Sequence, residues 1–344
     1  MVSFAVLILV LLAFVISGFL SRLLLPWIIK ASLNRDITTI DAHKPEKPII
    51  AEPGGLAPLL ATIFTILILV FSWEYITPEL APNPQVFQPL LAGLLSVVIA
   101  GLIGFLDDVF RISWRAKLLL GFLPAFPLMA LEVGKSTVGL GPLGVLDLRF
   151  IVGTLNLNLY SLIIIPLAVN FAFNSFNMFA GFNGLETGNG TISLFAILLL
   201  SLIVENPIVA LFSSALLGGF IVILWFNWYP ARTLIGDTGT LTLGTGIIVA
   251  IIIGNMDRLA LGLFGLHFLN FVLFLGYLYT RQTEKIASID NDGNIVAPSP
   301  FTVYWLLPYY LKNIGERKNV LLLLLAHTII VSIVFLLSLP IYSS

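Results

Sequence analysis

Apolar residues run in blocks of about twenty along nearly the whole chain, separated by short polar stretches. A block of that length matches the thickness of a bilayer crossed by one helix. The pattern predicts ten spans, at 3–29, 54–72, 86–105, 117–133, 159–179, 190–204, 207–226, 237–254, 258–279 and 318–339. An even number places both termini on the same side. The odd-numbered loops carry 13 of the 17 Lys and Arg, the even-numbered loops 3, and Arg22 sits inside the first span near its inner end. Basic residues collect on the cytoplasmic side, so the odd loops are expected there and both termini outside. The opening VSFAVLILVLLAFVISGFL has no basic start and no small-residue cleavage pattern, and is expected to be a retained first span rather than a signal peptide.

Composition agrees with this pattern. Of 344 residues, 58% are hydrophobic and 10% charged, with a mean hydropathy of +1.04. The fold expected is an all-α polytopic membrane protein, a single integral-membrane domain over 1–344. Net charge is −1, so no basic field suggests a nucleic-acid partner, and the lack of cysteine excludes thiol chemistry and Cys-ligated metals. The fourth loop, 134–158, contains GLGPLG and the alternating LDLRFIVGTLNLN, and reads as a small external β-hairpin. No internal repeat, low-complexity segment or domain boundary stands out.

One stretch breaks the pattern. Residues 174–190, NSFNMFAGFNGLETGNG, place four asparagines, four glycines and Glu186 where a helix leaves the membrane. Polar groups at that depth must face protein, ligand or water. Asn174 and Asn177 are three apart and share a helix face, while 180–184 supply the backbone freedom of a turn that can approach a ligand. The plain alternative is a glycine C-cap, which needs far fewer such residues.

Other odd loops carry further charge. In the first, 30–53, Asp41, Lys44 and Glu52 either serve a site or solvate the loop. In the third, Asp107 and Asp108 end a span, where the helix dipole disfavours negative charge. Either Arg111, Arg115 and Lys117 compensate them as an ordinary interfacial cluster, or they bind a divalent cation or accept a proton. In the seventh, Asp237 opens the eighth span and could be a normal capping residue. The ninth loop, 280–317, is polar and then aromatic. His43 lies in the first loop, whereas His267 and His327 lie within spans and are expected to pack or hydrogen-bond between helices.

All these clusters fall on one face. Carboxylates with amide oxygens are hard ligands suited to Mg²⁺ or Mn²⁺, and lysines beside a glycine-rich turn suit phosphates. The pattern points to phosphoryl transfer at the cytoplasmic interface.

LDDVFRISWRAKLLL, NSFNMFAGFNGLETG and FNWYPARTLIGDT resemble the three signature stretches of the polyprenyl-phosphate N-acetylhexosamine-1-phosphate transferases. DAHKPEKPIIAE resembles that family's first cytoplasmic loop, and ten spans is the family's number. Bacterial members usually carry Asp where Ala180 and Asn183 stand; AGFNGLE is similar to the eukaryotic and archaeal dolichyl-phosphate N-acetylglucosaminephosphotransferases. The resemblance implies transfer of HexNAc-1-phosphate, with GlcNAc-1-phosphate favoured, from a UDP-sugar to a dolichyl-type polyprenyl phosphate. UMP is released, as in the first membrane step of lipid-linked glycan synthesis. It implies that Asn177 and Asp237 hold Mg²⁺, that Asn183 reads the uracil, and that Asp107 or Asp108 positions the acceptor phosphate and is available to deprotonate it. Lys117 and Lys44 would neutralise phosphate oxygens, and Asn174, Asp41, Glu52 and Glu186 complete the implied substrate-binding set. An archaeal-type plasma membrane is favoured over the endoplasmic reticulum, and a homodimer stays open. One departure stands out: the family's basic motif in the last cytoplasmic loop is replaced here by APSPFTVYW, leaving Arg281, Lys285 or a neighbouring loop to substitute. A secondary transporter of a small polar or anionic solute and a catalytically idle homologue are the competing readings.

Overall fold

The computed structural model describes residues 4–76, 87–134, 137–139, 145–152, 155–280 and 286–342. Long apolar helices dominate: α1 (Phe4–Leu33), α2 (Leu56–Ile76), α3 (Phe87–Phe110), α6 (Ile165–Phe179), α7 (Leu185–Ile203), α8 (Pro207–Asn227), α9 (Gly236–Gly254) and α13 (Glu316–Tyr342). Shorter helices are α4 (Trp114–Leu120), α5 (Phe126–Ala130), α10 (Asp257–Leu263), α11 (Gly265–Thr280) and α12 (Val303–Leu311). Among the described residues, seven helices are long and apolar enough to cross a membrane, or eight if α10 and α11, bent by 59° at their junction, form one span. This is a multi-pass membrane protein.

Each of the ten expected segments has a helical counterpart, with two differences in form. The one at 258–279 is bent by 59° between α10 and α11. The one at 117–133 is broken into α4, a 3₁₀ turn at Leu123–Ala125, and α5, because Pro124 and Pro127 cannot continue a helix begun upstream. The broken segment still runs the length of α9. Lys117 at its start touches Asp237 in the first turn of α9, and Gly134 after its end approaches Ile252 in the last turn.

The bundle is built around α8 and α9, whose apolar windows are 78% and 89% buried, against 22% for the peripheral α1 and α13. Without a hydrophobic drive between helices in lipid, close approach depends on small residues. Gly104 of α3 is one such contact: a Cβ there would lie 2.4 Å from the carbonyl oxygen of Asp237. The end of α3 and the start of α9 are thereby brought together, and with them the carboxylates of both.

Strand content is confined to short antiparallel pairs. β1 (Thr38–Ile40) and β2 (Ile49–Ala51) make a hairpin in the first loop, with Thr39 opposite Ile50. In the fourth loop β3 (Thr137–Gly139) pairs with β4 (Val145–Asp147), and β5 (Arg149–Val152) with β6 (Leu155–Asn158). The expected turn residues 140–144 lie outside the described residues. In the ninth loop β7 (Ser288–Ile289) pairs with β8 (Ile295–Val296).

Both intramembrane histidines behave as packing residues. The His267 ring stacks on Phe176 at 4.1 Å, and His327 Nε2 meets Ser193 Oγ at 3.1 Å.

Candidate active site

The first and seventh loops are stitched together. The Leu234 N–H donates to the Ala51 carbonyl at 2.9 Å, Thr233 Oγ1 donates to the same oxygen at 2.8 Å, and the Gly54 N–H donates to Leu234 O at 3.0 Å. The loop between β1 and β2 is closed by Asp41 N–H to Pro48 O at 3.0 Å, so Asp41, His43 and Lys44 are held over the end of the bundle. The α6–α7 connection enters the same space. Its Gly184 takes φ +81°, a conformation glycine adopts without steric cost, and its N–H donates to the Asn227 Oδ1 at 3.0 Å. A cavity of about 280 Å³ forms between these segments, and Asp41, His43, Glu52, Asn183, Glu186, Asp237 and Tyr304 all line it.

Two groups of charges flank this space, joined to its lining through Asp237 and through Asp41. On one side, Lys117 Nζ sits between Asp107 Oδ2 at 2.6 Å and Asp237 Oδ2 at 2.7 Å. The other oxygen of Asp237 accepts the side-chain amide of Asn177 in a short contact, and that amide also reaches Thr240 Oγ1 at 3.4 Å. On the other side, Lys44 Nζ is buried against Glu316 at 2.5 Å and Asp41 at 3.1 Å, and lies 4.7 Å from the centre of the Tyr229 ring.

The two adjacent aspartates do different things. Asp107 pairs with Lys117. Asp108 faces the start of α9, accepting the N–H of Asp237 at 2.7 Å, the N–H of Thr238 at 3.0 Å and the Thr238 hydroxyl at 2.5 Å. The N-terminal dipole of a second helix thus offsets charge at the C-terminus of the first. This corrects two expectations. Of the basic residues expected to compensate the pair, Lys117 does so for Asp107, whereas Arg111 binds Glu52 at 2.5 and 2.9 Å and Arg115 lies over the Trp114 ring. Nor is Asp237 a capping residue: Asp108 caps α9 and leaves the Asp237 carboxylate free for Lys117 and Asn177.

The remaining expected residues divide. Glu186 is buried in the first turn of α7, with its Oε2 lacking a hydrogen-bond partner. Asn183 donates its N–H to Glu316 at 2.8 Å and accepts from the Ala231 N–H at 3.4 Å. Asn174 stands apart. Its amide donates to Asn170 Oδ1 at 2.7 Å, and Asn170 in turn donates to the Leu118 carbonyl at 2.8 Å, which ties the helix carrying Lys117 to α6. Arg281 and Lys285 lie outside the described residues. Burial pushes the His43 imidazole below its ordinary value, with Asp41 pulling the other way; the hydrogen bond to Glu52 raises the Arg111 guanidinium.

Sequence reasoning missed Glu316, Asn227 and Tyr304. Glu316 opens the last long helix among Arg317 and Lys318, where it looks like surface charge. Asn227 lies within FNWYPARTLIGDT with nothing local to mark it, yet it accepts from Gly184 N and Thr187 Oγ1, both at 3.0 Å, and donates to Thr233 O at 3.2 Å. Tyr304 and Trp305 wall the cavity from the segment that replaces the basic motif.

The model of glycosyl transferase family 4 matches residues 90–255, which hold Asp107, Lys117, Asn177 and Asp237. A provisionally named UDP-N-acetylglucosamine:dolichyl-phosphate N-acetylglucosaminephosphotransferase of Sulfolobus acidocaldarius is 30% identical over 242 residues, 68% of each chain. The chain belongs to glycosyl transferase family 4. Within that family it is also similar to the provisionally named enzyme of the same title from Saccharolobus solfataricus, 29% identical over 295 residues and 83% of both chains. The phospho-N-acetylmuramoyl-pentapeptide-transferase of Bacillus subtilis is 26% identical over 327 residues, 89% of this chain and 95% of that one.

The donor set fits a divalent cation of the magnesium kind. Among the described residues no three His, Asp or Glu converge as a complete ligand cage. The carboxylates of Asp237 and Asp107 and the amide oxygen of Asn177, once its side chain turns over, are hard donors, and such an ion typically takes one or two carboxylates and fills its remaining positions with water and substrate phosphate.

Proposed function

We propose that this family 4 enzyme transfers N-acetylglucosamine-1-phosphate from UDP-N-acetylglucosamine to a dolichyl-type polyprenyl phosphate, releasing UMP. The observation that carries the reading is the Asp107–Lys117–Asp237–Asn177 cluster at the edge of a cavity large enough for part of a nucleotide sugar. The names of the archaeal and eukaryotic relatives supply the substrates: the enzyme of Dictyostelium discoideum, 27% identical over 292 residues, carries the same title.

In the reaction an oxygen of the lipid phosphate attacks the sugar-bearing phosphorus of the donor. The bond from that phosphorus to the oxygen bridging to UMP breaks, and UMP leaves with the electron pair. The chain's part is placement and charge. Lys117 donates to non-bridging phosphate oxygens, held in line by Asp107 and Asp237. Asp107 faces the incoming acceptor phosphate, which needs little help to lose a proton because its second pKa is about 6. Asn183 and Glu186 face the nucleotide end. Mg²⁺ on Asp237 and Asn177 would lower the repulsion between donor and acceptor phosphates.

The loop charges support a cytoplasmic position for this end of the bundle, and the archaeal relatives favour a plasma membrane, with a role in lipid-linked glycan synthesis such as protein N-glycosylation. Family membership weighs against the transporter reading. The test is UMP release by purified protein given UDP-N-acetylglucosamine, Mg²⁺ and a polyprenyl phosphate. Release that requires lipid and metal, and that falls sharply in Asp237→Ala and Asn177→Ala at the same Mg²⁺ concentration, is expected. Silence with a panel of UDP-sugars would overturn the reading in favour of an idle homologue.

A further inference from the structure

Glu316 is the first residue of α13, and its side chain is 3% exposed. One carboxylate oxygen accepts the Asn183 N–H at 2.8 Å and the other binds Lys44 Nζ at 2.5 Å. These partners lie 133 and 272 residues away in the chain, so one side chain joins the last span, the α6–α7 turn and the first loop. We propose that Glu316 is a positioning residue for donor recognition, clamping the Asn183 turn to the Lys44 loop so that the cavity wall beside the nucleotide is assembled by the last span.

The clamp has two parts. The turn offers successive N–H groups at Asn183 and Gly184, taken by Glu316 and by Asn227 respectively. With Glu316 removed, the Asn183 N–H loses its acceptor and the turn is held from one side only. Lys44 completes the second part. It sits among Glu316, Asp41 and the Tyr229 ring, and it could reach a phosphate only by leaving two buried carboxylates without a counter-charge. Lys44 therefore acts through the loop it anchors, which carries Asp41 and His43 into the cavity wall.

The donor part of this proposal rests on the transferase reading; the clamp itself does not, and two measurements on the full-length protein separate them. Backbone hydrogen exchange across residues 180–187 is expected to quicken roughly tenfold in Glu316→Ala and to stay near wild type in Glu316→Gln, which keeps an acceptor for the Asn183 N–H. In UMP release, Glu316→Ala is expected to raise KM for UDP-N-acetylglucosamine about tenfold while kcat changes less than about threefold. Adding Lys44→Met to Glu316→Ala should cost little more, since the pair acts as one unit. Unchanged exchange in Glu316→Ala would overturn the clamp. Faster exchange with an unchanged KM would overturn its part in donor recognition. Wild-type protein silent toward every UDP-sugar would overturn the transferase reading and the donor role with it, while the exchange measurement would still decide the clamp.

Discussion

Asp108, in the last turn of α3, caps a helix 129 residues further along the chain at Asp237: the N–H of Asp237, at the start of α9, donates to Asp108 Oδ1 at 2.7 Å, and Thr238 supplies two further bonds. Its neighbour Asp107 faces Lys117 instead. Asp108→Ala should therefore lower stability by about 1–3 kcal/mol, the cost of stripping a cap and leaving buried N–H groups unpaired. Asp107→Asn should leave the melting temperature nearly unchanged and lower kcat by about a hundredfold. Thermal unfolding alongside UMP release checks the division; the opposite ranking of the two variants in stability would reverse it.

Lys117 is the only cation bonded to both Asp107 and Asp237 among the described residues. Lys117→Met should cut kcat about a hundredfold or more, because it removes a phosphate donor and leaves two carboxylates facing one another. Lys117→Arg should recover only part of this, since a planar guanidinium does not replace a point charge seated between two oxygens. Single-turnover transfer rates measure both.

If Asp237 and Asn177 hold the metal, replacing either shifts the metal requirement and not only the rate. Asn177→Ala should raise the Mg²⁺ concentration for half-maximal activity by about 10-fold to 100-fold. Glu52→Gln should leave it unchanged, because Glu52 binds Arg111. A Mg²⁺ titration of each variant distinguishes the two.

Gly184 combines φ +81° with a position where an added Cβ would lie 2.7 Å from the Trp228 ring. Gly184→Ala should cost about 1–3 kcal/mol of stability and weaken donor binding, read by thermal unfolding and KM.

Burial holds His43 below its ordinary pKa, so the unfolded chain takes up a proton at this residue more readily than the folded one. Its contribution to stability is therefore present above the unfolded pKa of about 6.5 and is lost as pH falls below it. The difference in melting temperature between wild type and His43→Gln, followed from pH 8 to pH 5, should change in that sense, with wild type losing more on acidification.

The apolar helical segments, the end of the bundle where polar residues gather, and the carboxylates that line the cavity were legible in the sequence. Asp237, Asn177 and Lys117 stood out by charge and amide content at the membrane edge, and the family resemblance implied their roles. Glu316 and Asn227 were not. One resembles the charged flank of any span, and the other sits beside aromatics at an interface; neither has a local pattern that reveals its partners.

By itself the sequence determined where the helices run, because burial in a bilayer depends on the local density of apolar residues and can be summed along a window of chain. The tertiary structure decided which charge meets which. Asp108 could have bonded any neighbouring base, and it faces α9 because Gly104 lets the two helix ends meet. Lys44 could have faced solvent, and it meets Glu316 because the last span begins against the first loop. Such pairings depend on the approach of segments more than a hundred residues apart, and hydropathy along the chain carries no record of that approach.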